Sequence, residues 1–245
     1  MDVSVSIIIP TYNEASCLPE LLRRIDDAMK RAGLSYECVV VDDDSPDGTF
    51  RAAEALAALY PLRVHRRTEE RCLSSAMLYG LKRARGTVIG CIDSDLQHPP
   101  ELIPLLVSSI TEEGCRMAIG SRLVEGGKVE DWAWYRRLIS WCGRILTLPL
   151  TRVKDTMSGF FFISPEVIDG VSLNTIGYKL GLEIIVKGNH GKNIKEVPYT
   201  FQHRHLGASK MSWKTHNAYL WQLMLLYAYK IRGLRAPCFF RLNRH

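Results

Sequence analysis

The sequence has no apolar run long enough to cross a membrane, because none approaches the roughly 18 residues that a spanning helix requires. It begins with Met1-Asp2 and continues directly into a β-type run, so we expect no secretory signal. Its seven cysteines form no C-x-x-C pair and no regular framework. We therefore expect reduced, mostly buried thiols and an intracellular compartment.

Two kinds of phosphate-binding loop are also missing. The sequence contains neither G-x-G-x-x-G nor G-x-x-x-x-G-K-[ST], which excludes the usual glycine-lined cradles for dinucleotides and nucleoside triphosphates. A phosphate ligand would have to be held through a metal ion and basic side chains instead.

Acidic residues are absent after Glu196. Residues 1–196 contain 24 Lys and Arg against 26 Asp and Glu, whereas residues 197–245 contain eight basic residues and no acid. This C-terminal excess of positive charge indicates an anionic partner, which the charge alone leaves open among phosphates, a membrane surface and nucleic acid. No motif typical of a nucleic-acid-binding module accompanies it, so we expect no nucleic acid.

The 245 residues have the composition of a globular protein, with 47% apolar and 24% charged residues. Apolar β-type runs, as at residues 3–9 and 36–41, alternate with helical periodicity, as at residues 17–31. This alternation predicts an α/β fold with a mainly parallel, doubly wound sheet.

We divide the chain into a globular domain, residues 1–211, and a basic amphipathic segment, residues 212–245. Further helices are predicted at residues 49–59, 74–84, 100–112, 132–148, 178–187 and 213–231. Further strands are predicted at residues 62–66, 88–92, 117–120 and 193–201, and an aromatic strand within residues 155–164. Residues 124–131 are predicted to form a loop.

Polar motifs follow three of the predicted strands: T-Y-N-E, D-D-D-S-P-D-G and D-S-D-L-Q. Ligands of such sheets bind beyond the carboxyl ends of the strands, so we expect the three motifs to line one crevice. In the third motif Asp93, Asp95 and Gln97 offer only hard oxygen ligands, which suit Mg²⁺ or Mn²⁺. A cation there would hold a diphosphate, although a solvated strand-to-helix turn is the alternative for a lone D-x-D.

Taken in order, the motifs resemble those of the inverting glycosyltransferases with the GT-A fold. The greatest likeness is to dolichol-phosphate mannose synthases and their polyprenyl-phosphate glycosyltransferase relatives, and it covers about residues 5–210. It is carried by I-I-P-T-Y-N-E, V-D-D-D-S-P-D-G-T, L-S-S-A, D-S-D-L-Q-H-P-P-E, G-S-R, S-G-F-F, E-V-P and R-H-L-G-A-S-K. The resemblance implies a GT-A fold, a Rossmann-like, mainly parallel sheet flanked by helices, with a C-terminal amphipathic interfacial helix.

The resemblance also implies roles for individual residues. The nucleotide sugar would be bound by Pro10, Tyr12, Glu14, Val41, Asp43, Asp93, Ser94, Asp95, Gln97, Arg122, Arg204 and Lys210. Within this set, Asp43 would accept from the base, a task that Asp42 could share. The metal would be ligated by Asp93, Asp95 and Gln97. The residues carrying catalysis would be Asp95, Arg122 and Arg204, the two arginines by contacting phosphates.

The implied reaction is transfer of a sugar, with mannose from GDP-mannose as the best guess, to dolichyl or another polyprenyl phosphate with inversion. A phosphomonoester is already a dianion near neutral pH, since its second pKa is about 6, so the acceptor can be its own nucleophile. We assign no general base, and we expect a structural role for Glu183. Alternatives are UDP-glucose or another donor, a hydroxyl acceptor that would need a base, and an inactive nucleotide-sugar or nucleic-acid binding module.

Several motif neighbours receive no ligand role. Cys72 stands where relatives commonly have glycine, and cysteine adopts positive φ less readily, so we expect an altered loop and assign nothing to Arg71. Asp47 suits turn chemistry. Asp155 either shapes the acceptor loop or is plain structure. The histidines near the motifs are predicted not to be ligands: His98, His203 and His205.

The C-terminal segment combines aromatic, aliphatic and basic residues from Trp213 onward. This composition favours a helix lying in the headgroup region of an anionic membrane. We expect a peripheral enzyme at the cytoplasmic face of a membrane, or one completed by a membrane subunit. The alternative is a core helix packed on the sheet.

Overall fold

The computed structural model describes residues 3–129, 141, 143–176, 178–191, 193–202 and 213–232. The strands are β1 (Val5–Thr11), β2 (Tyr36–Asp42), β3 (Leu62–Arg66), β4 (Val88–Cys91), β5 (Met117–Ser121), β6 (Lys128–Val129), β7 (Phe161–Ile163), β8 (Ile194–Pro198) and β9 (Thr200–Phe201). The α-helices are α1 (Leu18–Arg31), α2 (Thr49–Leu56), α3 (Leu73–Leu81), α4 (Ile103–Thr111), α5 (Leu180–Lys187) and α6 (Trp213–Arg232).

Seven of these strands form one sheet in the order β3-β2-β1-β4-β7-β5-β8. All neighbours are parallel except β7, which runs antiparallel between β4 and β5. Every residue of β1 is buried, and alternate residues serve opposite faces, as strand geometry requires. Ile7 packs with Leu21 of α1 on one face, while Ile8 packs with Met77 of α3 on the other. The predicted α/β sheet covered on both faces is confirmed.

The antiparallel strand β7 brings bulky aromatics into the centre of the sheet. Phe160, Phe161 and Phe162 are all buried. Gly90 of β4 pairs with Phe162, and a Cβ at position 90 would lie 2.3 Å from the phenyl Cδ1. Glycine is therefore required at this position because the neighbouring ring occupies the space of a side chain.

Helix α3 begins at Leu73, one residue before the predicted start, directly after Cys72. Neither Ser74 nor Ser75 caps the helix, because both lie inside it, and Ser75 donates from Oγ to the carbonyl of Cys72 at 3.0 Å. Cys72 itself precedes the helix with φ −154° and ψ 122°. This extended conformation is open to any residue, so cysteine in place of glycine imposes no strain here.

Other element boundaries also differ from the predicted ones. Helix α2 ends at Leu56, three residues early, and residues 100–102 form a 3₁₀ turn before α4. The predicted loop 124–131 contains β6, which pairs with β9 in a small parallel sheet. The predicted helix 132–148 falls largely outside the described residues, and residues 146–150 form turns rather than helix.

Helix α6, predicted from the sequence, packs with one face on the rest of the chain. Tyr219, Leu223 and Leu226 form a buried cluster with Leu150 and Leu182. No helix among the described residues is both long and apolar enough to cross a membrane. The division at residue 211 and the membrane role of this segment stay predictions.

Candidate functional site

The carboxyl ends of β1, β2 and β4 lie side by side at one edge of the sheet. In the register of these strands Thr11 faces Asp42, and Ile8 faces Cys91. The loop after each strand contains one of the described non-glycine residues with positive φ. Such strained residues concentrate at functional sites, so the backbone itself marks this edge. These residues are Asn13 (56°), Asp44 (55°) and Leu96 (62°).

The loop after β1 contacts the loop that leads into α3. Arg71 donates from Nη1 to the hydroxyl of Tyr12 at 2.9 Å, and its guanidinium lies 4.9 Å from the ring centroid. Glu14 is buried, and its backbone N–H donates to Thr49 Oγ1 at 2.9 Å. Arg71, which received no ligand role from the motifs, therefore borders the predicted base-binding residue Tyr12.

The two acids at the end of β2 have different surroundings. Asp42 is fully buried and accepts from Thr11 Oγ1 at 3.0 Å and from the backbone N–H of Ser45 at 2.9 Å. Asp43 forms an ion pair with Arg67 at 2.6 Å and accepts from the N–H of Cys72 at 3.0 Å. Burial raises the pKa of Asp43, and Arg67 offsets only part of this effect. Asp42 is thus bonded to the last residue of β1 and to the loop after β2, whereas Asp43 is bonded to the loop that leads into α3.

Arg67 is a residue that the sequence reasoning missed. Its guanidinium joins Asp43 to Ser75 Oγ (2.8 Å), to Glu70 Oε1 (3.1 Å) and to the carbonyl of Cys72 (3.2 Å). It holds the loop before α3 against the end of β2. The signal that could have found it is its position directly after β3, at the same edge of the sheet.

Two other predicted residues near β2 have mainly structural contacts. Asp47 accepts from the N–H groups of Thr49 and Ala15 at 3.0 and 3.1 Å, in agreement with the predicted turn chemistry. Val41 is fully buried and clusters with Val39 and Ala76. Contact between Val41 and a base stays a prediction.

The turn after β4 carries the predicted metal ligands. The Asp93 side chain is 32% exposed, while Asp95 is buried and accepts the N–H of Gln97 at 3.2 Å. The amide nitrogen of Gln97 donates to the carbonyl of Gln202 at 3.2 Å, which leaves the amide oxygen as its ligand atom. A Cβ at Gly159 would come within 3.0 Å of an Asp93 oxygen, so glycine there keeps room beside this carboxylate.

This donor set fits a hard divalent cation. Within the described ranges no group of three or more His, Cys, Asp or Glu side chains could hold a metal alone. Mg²⁺ is commonly held by one or two carboxylates together with substrate phosphates and water, and Asp93, Asp95 and Gln97 match that pattern.

The turn is also anchored to β1 and to the residue that follows β9. Ser94 donates from Oγ to the carbonyl of Pro10 at 3.2 Å. The N–H of Gln202 donates to the carbonyl of Gln97 at 3.1 Å. The predicted ligands are therefore held by neighbours on both sides.

Arg122, directly after β5, forms a buried bidentate pair with Asp155. Nε and Nη2 each donate to a carboxylate oxygen at 2.8 Å, and the backbone N–H of Arg122 donates at 2.9 Å. Burial alone would raise the pKa of Asp155, but the hydrogen bonds and charge of Arg122 outweigh it and hold that pKa below its usual range. Asp155 thus holds Arg122 in place, and a phosphate contact by Arg122 stays a prediction.

Lys179, just before α5, is a second residue that sequence reasoning missed. Its Nζ donates to the carbonyl of Met157 at 2.6 Å. Burial and the charge of Arg122 lower its pKa to about 8, against the opposing effects of Asp93 and Asp155. A lysine in this state is suited to receive an anionic ligand.

A family model described as Glycosyl transferase family 2 matches residues 6–171. The chain belongs to glycosyl transferase family 2. The dolichol-phosphate mannosyltransferase of Pyrococcus furiosus is 51% identical over 222 residues, which cover 89% of this chain and 62% of that relative. The chain thus spans less than two thirds of that relative's length. The dolichol-phosphate mannosyltransferase of Saccharomyces cerevisiae is 38% identical over 94% of this chain and 89% of its own length.

Solved structures agree on the fold of this family 2 chain. Mannosyl-3-phosphoglycerate synthase from Rubrobacter xylanophilus superposes with a TM-score of 0.67 at 22% identity, over 98% of this chain and 79% of that one. Glucosyl-3-phosphoglycerate synthase from Mycobacterium tuberculosis, solved with Mn²⁺, UDP-glucose and phosphoglyceric acid, also gives 0.67, at 17% identity over 96% and 82%. The predicted GT-A fold and the membership of the dolichol-phosphate mannose synthase family are confirmed.

In this family 2 chain the Glu183 side chain is engaged in structural contacts. Its buried carboxylate pairs with Lys187 and accepts from the N–H of Asn174 at 2.8 Å, and Gln222 of α6 donates to its other oxygen at 3.4 Å. These contacts agree with the structural role predicted for it. The remaining predicted phosphate contacts, Arg204 and Lys210, lie outside the described residues, and so do His203 and His205.

Proposed function

We propose that this chain transfers a sugar from a nucleotide diphosphate sugar to a polyprenyl phosphate, with GDP-mannose and dolichyl phosphate as its substrates. The observation that carries the proposal is the 38% identity to the yeast dolichol-phosphate mannosyltransferase over 89% of that relative. Further support comes from the positions of the predicted nucleotide-sugar residues that the structure describes, since they lie at or directly after the carboxyl ends of neighbouring strands of one sheet. The same site with UDP-glucose is the second candidate, since base selection depends on loop geometry that the motifs do not specify.

The proposed cofactor is Mg²⁺ or Mn²⁺, held by Asp93, Asp95 and Gln97. When bound, such a cation neutralises charge on the diphosphate leaving group. The similarly folded glucosyl-3-phosphoglycerate synthase has been solved with Mn²⁺ or Mg²⁺ beside UDP or UDP-glucose, which supports this choice.

We propose that the acceptor phosphate attacks the anomeric carbon in line and inverts it. No general base is needed, because the phosphate dianion carries no proton to remove. Glu183 is already paired with Lys187, which supports this mechanism. Lys179 and Arg122 would supply positive charge for the attacking phosphate, so that catalysis consists of positioning and charge neutralisation.

The enzyme is further proposed to act at the cytoplasmic surface of a membrane, alone or with a membrane subunit. The face of α6 opposite its buried cluster exposes Leu220, Trp221, Met224 and Ile231. Apolar side chains on a helix within a basic segment suit an anionic bilayer surface. A polyprenyl phosphate would present only its head group there.

A donor screen tests the proposed reaction. The full chain is incubated with polyprenyl phosphate and radiolabelled GDP-mannose, UDP-glucose or other nucleotide sugars, and the lipid product is counted. Mannosyl lipid from GDP-mannose alone is expected. Labelled glucosyl lipid would favour the second candidate, and label on a protein or polysaccharide hydroxyl would contradict a phosphate acceptor.

A further inference from the structure

We propose that His98 is a positioning residue that fixes the orientation of the Asp93 carboxylate for a divalent cation. The proposal rests on the metal-dependent reaction proposed above and assigns His98 no place among the ligands. It also gives Tyr199 a role, because that residue fixes the imidazole from the opposite side.

The geometry is a continuous hydrogen-bonded chain. His98 Nε2 lies 3.1 Å from Asp93 Oδ2, and His98 Nδ1 lies 2.8 Å from the hydroxyl of Tyr199. An ionised carboxylate can only accept, so Nε2 must carry the proton. In the neutral imidazole Nδ1 then accepts from Tyr199, and the tyrosine therefore selects the tautomer that donates to Asp93.

The imidazole is held rigidly as well as bonded. His98 is 2% exposed, and its ring lies 5.2 Å from Phe160, 5.5 Å from Tyr199 and 5.4 Å from Phe201, centroid to centroid. Tyr199 is fixed in turn, since its N–H donates to the carbonyl of Ser121 at 3.1 Å. A ring enclosed by three aromatics and bonded at both nitrogens has little rotational freedom.

The simpler interpretation is a core histidine that merely satisfies its own nitrogens. Its partner argues against this, because Asp93 is an acid exposed at the edge of the site rather than a core group. Partners behind a metal ligand keep it in the binding orientation, and their loss typically costs about 10–100-fold in metal affinity. A purely structural histidine would affect stability and leave metal affinity alone.

The test measures Mn²⁺ binding by the full chain in the presence of GDP, with unbound Mn²⁺ detected by electron paramagnetic resonance. His98→Leu is expected to weaken Mn²⁺ binding about 10–100-fold. Tyr199→Phe should weaken it less, and His98→Gln should recover part of the affinity because its amide can donate near the position of Nε2. Phe160→Leu, which loosens the same aromatic enclosure without removing a hydrogen bond, should lower Tm and weaken Mn²⁺ binding less than His98→Leu does.

Two outcomes would overturn the inference, and they distinguish failure of the role of His98 from failure of the proposed metal cofactor. Unchanged Mn²⁺ affinity in folded His98→Leu, with tight binding by the unaltered chain, would refute the positioning role alone. No Mn²⁺ binding by the unaltered chain would refute both it and the proposed cofactor. If His98→Leu does not fold, Tyr199→Phe, which removes one oxygen atom, replaces it in the same measurement, and unchanged Mn²⁺ affinity in Tyr199→Phe would then refute the positioning role.

Discussion

At the scale of single residues, Asp155 shows that a charged group beside a site can serve to hold a neighbouring side chain, here that of Arg122. Asp155 is fully buried, so removing its partner leaves a carboxylate without compensation. Breaking one side of a buried pair costs about 3–5 kcal/mol, whereas an exposed pair is worth roughly 0–1 kcal/mol. The cost therefore depends on burial rather than on the presence of an ion pair.

Arg122→Gln is accordingly expected to lower the free energy of unfolding by about 3–5 kcal/mol in urea titrations. Arg24→Gln is the matched control, since Arg24 also pairs bidentately, but with the exposed Glu101. It should cost less than about 1 kcal/mol. Equal losses in the two variants would contradict the buried-pair account.

The Arg122–Asp155 pair also predicts how the free energy of unfolding changes as the pH is lowered. The pKa of Asp155 is lowered in the folded chain, so the unfolded chain takes up the proton first as pH falls. The stabilisation is complete above the unfolded pKa of about 3.9 and is lost as pH falls through the lower folded value. Urea titrations from pH 6 to pH 3 should show a smaller acid-induced loss for Arg122→Gln than for the unaltered chain.

The lowered pKa of Lys179 predicts that kcat/KM for the acceptor falls on the alkaline side of its pH profile. Its pKa is lowered to about 8, so the group loses its charge as pH rises through that value. If the charged form receives the acceptor phosphate, kcat/KM for the acceptor falls over the same range. Lys179→Arg should move this alkaline limb of the profile to much higher pH, because arginine stays charged.

The control for this profile is Lys195→Arg, which alters a lysine paired with Glu113 away from the site. It should leave the profile unchanged. An identical alkaline limb in Lys179→Arg and the unaltered enzyme would assign the titration to another group.

At the scale of elements, the positions of the loops after the strands could be predicted from the sequence, whereas the hydrogen bonds that join these loops to distant residues could not. Periodicity and polarity identify T-Y-N-E and D-S-D-L-Q as loops after strands, and sheet geometry brings them together. The partners of Arg67 and His98 lie 24 and 101 residues away along the chain. No local pattern encodes such pairs, because they depend on tertiary packing.

The ends of helices and strands were also difficult to predict from local sequence. The start of α3 at Leu73 and the short pairing of β6 with β9 depend on neighbours rather than on local composition. Alanine-rich sequence predicted α2 to Leu59, but the helix ends at Leu56 as the chain turns toward β3. Propensity predicts that an element exists more reliably than where it stops.

The contact between β4 and β7 gives a prediction at this scale. Gly90→Ala would place a methyl group 2.3 Å from the Phe162 ring, and both residues are held by strand pairing. We expect a loss of about 1–3 kcal/mol or more in unfolding free energy, the cost of overpacking a core. Gly143→Ala is the control, because its added carbon would meet only ordinary contacts from 3.8 Å. A thermal melt of Gly90→Ala matching the unaltered protein would contradict this account.

At the scale of the whole molecule, α6 has two faces with different roles. Tyr219, Leu223 and Leu226 are buried against the rest of the chain, while Trp221 and Met224 are 52% and 57% exposed. If the C-terminal segment served only as a membrane anchor, removing residues 212–245 would leave nucleotide-sugar binding largely intact and strongly reduce sedimentation with anionic liposomes. The structure makes that truncation ambiguous, because it would also uncover Leu150 and Leu182.

Substitutions on the exposed face separate the two roles. Trp221→Glu combined with Met224→Glu removes apolar area and adds negative charge without entering the buried cluster. Co-sedimentation with anionic liposomes should fall strongly, since a helix at the bilayer surface is held by its apolar face and by attraction to anionic lipids. Leu59→Glu combined with Leu105→Glu is the matched control, because both leucines are exposed but lie outside α6. Equal sedimentation of the two double variants, with unchanged Tm and nucleotide-sugar binding, would show that the exposed face of α6 does not anchor the enzyme.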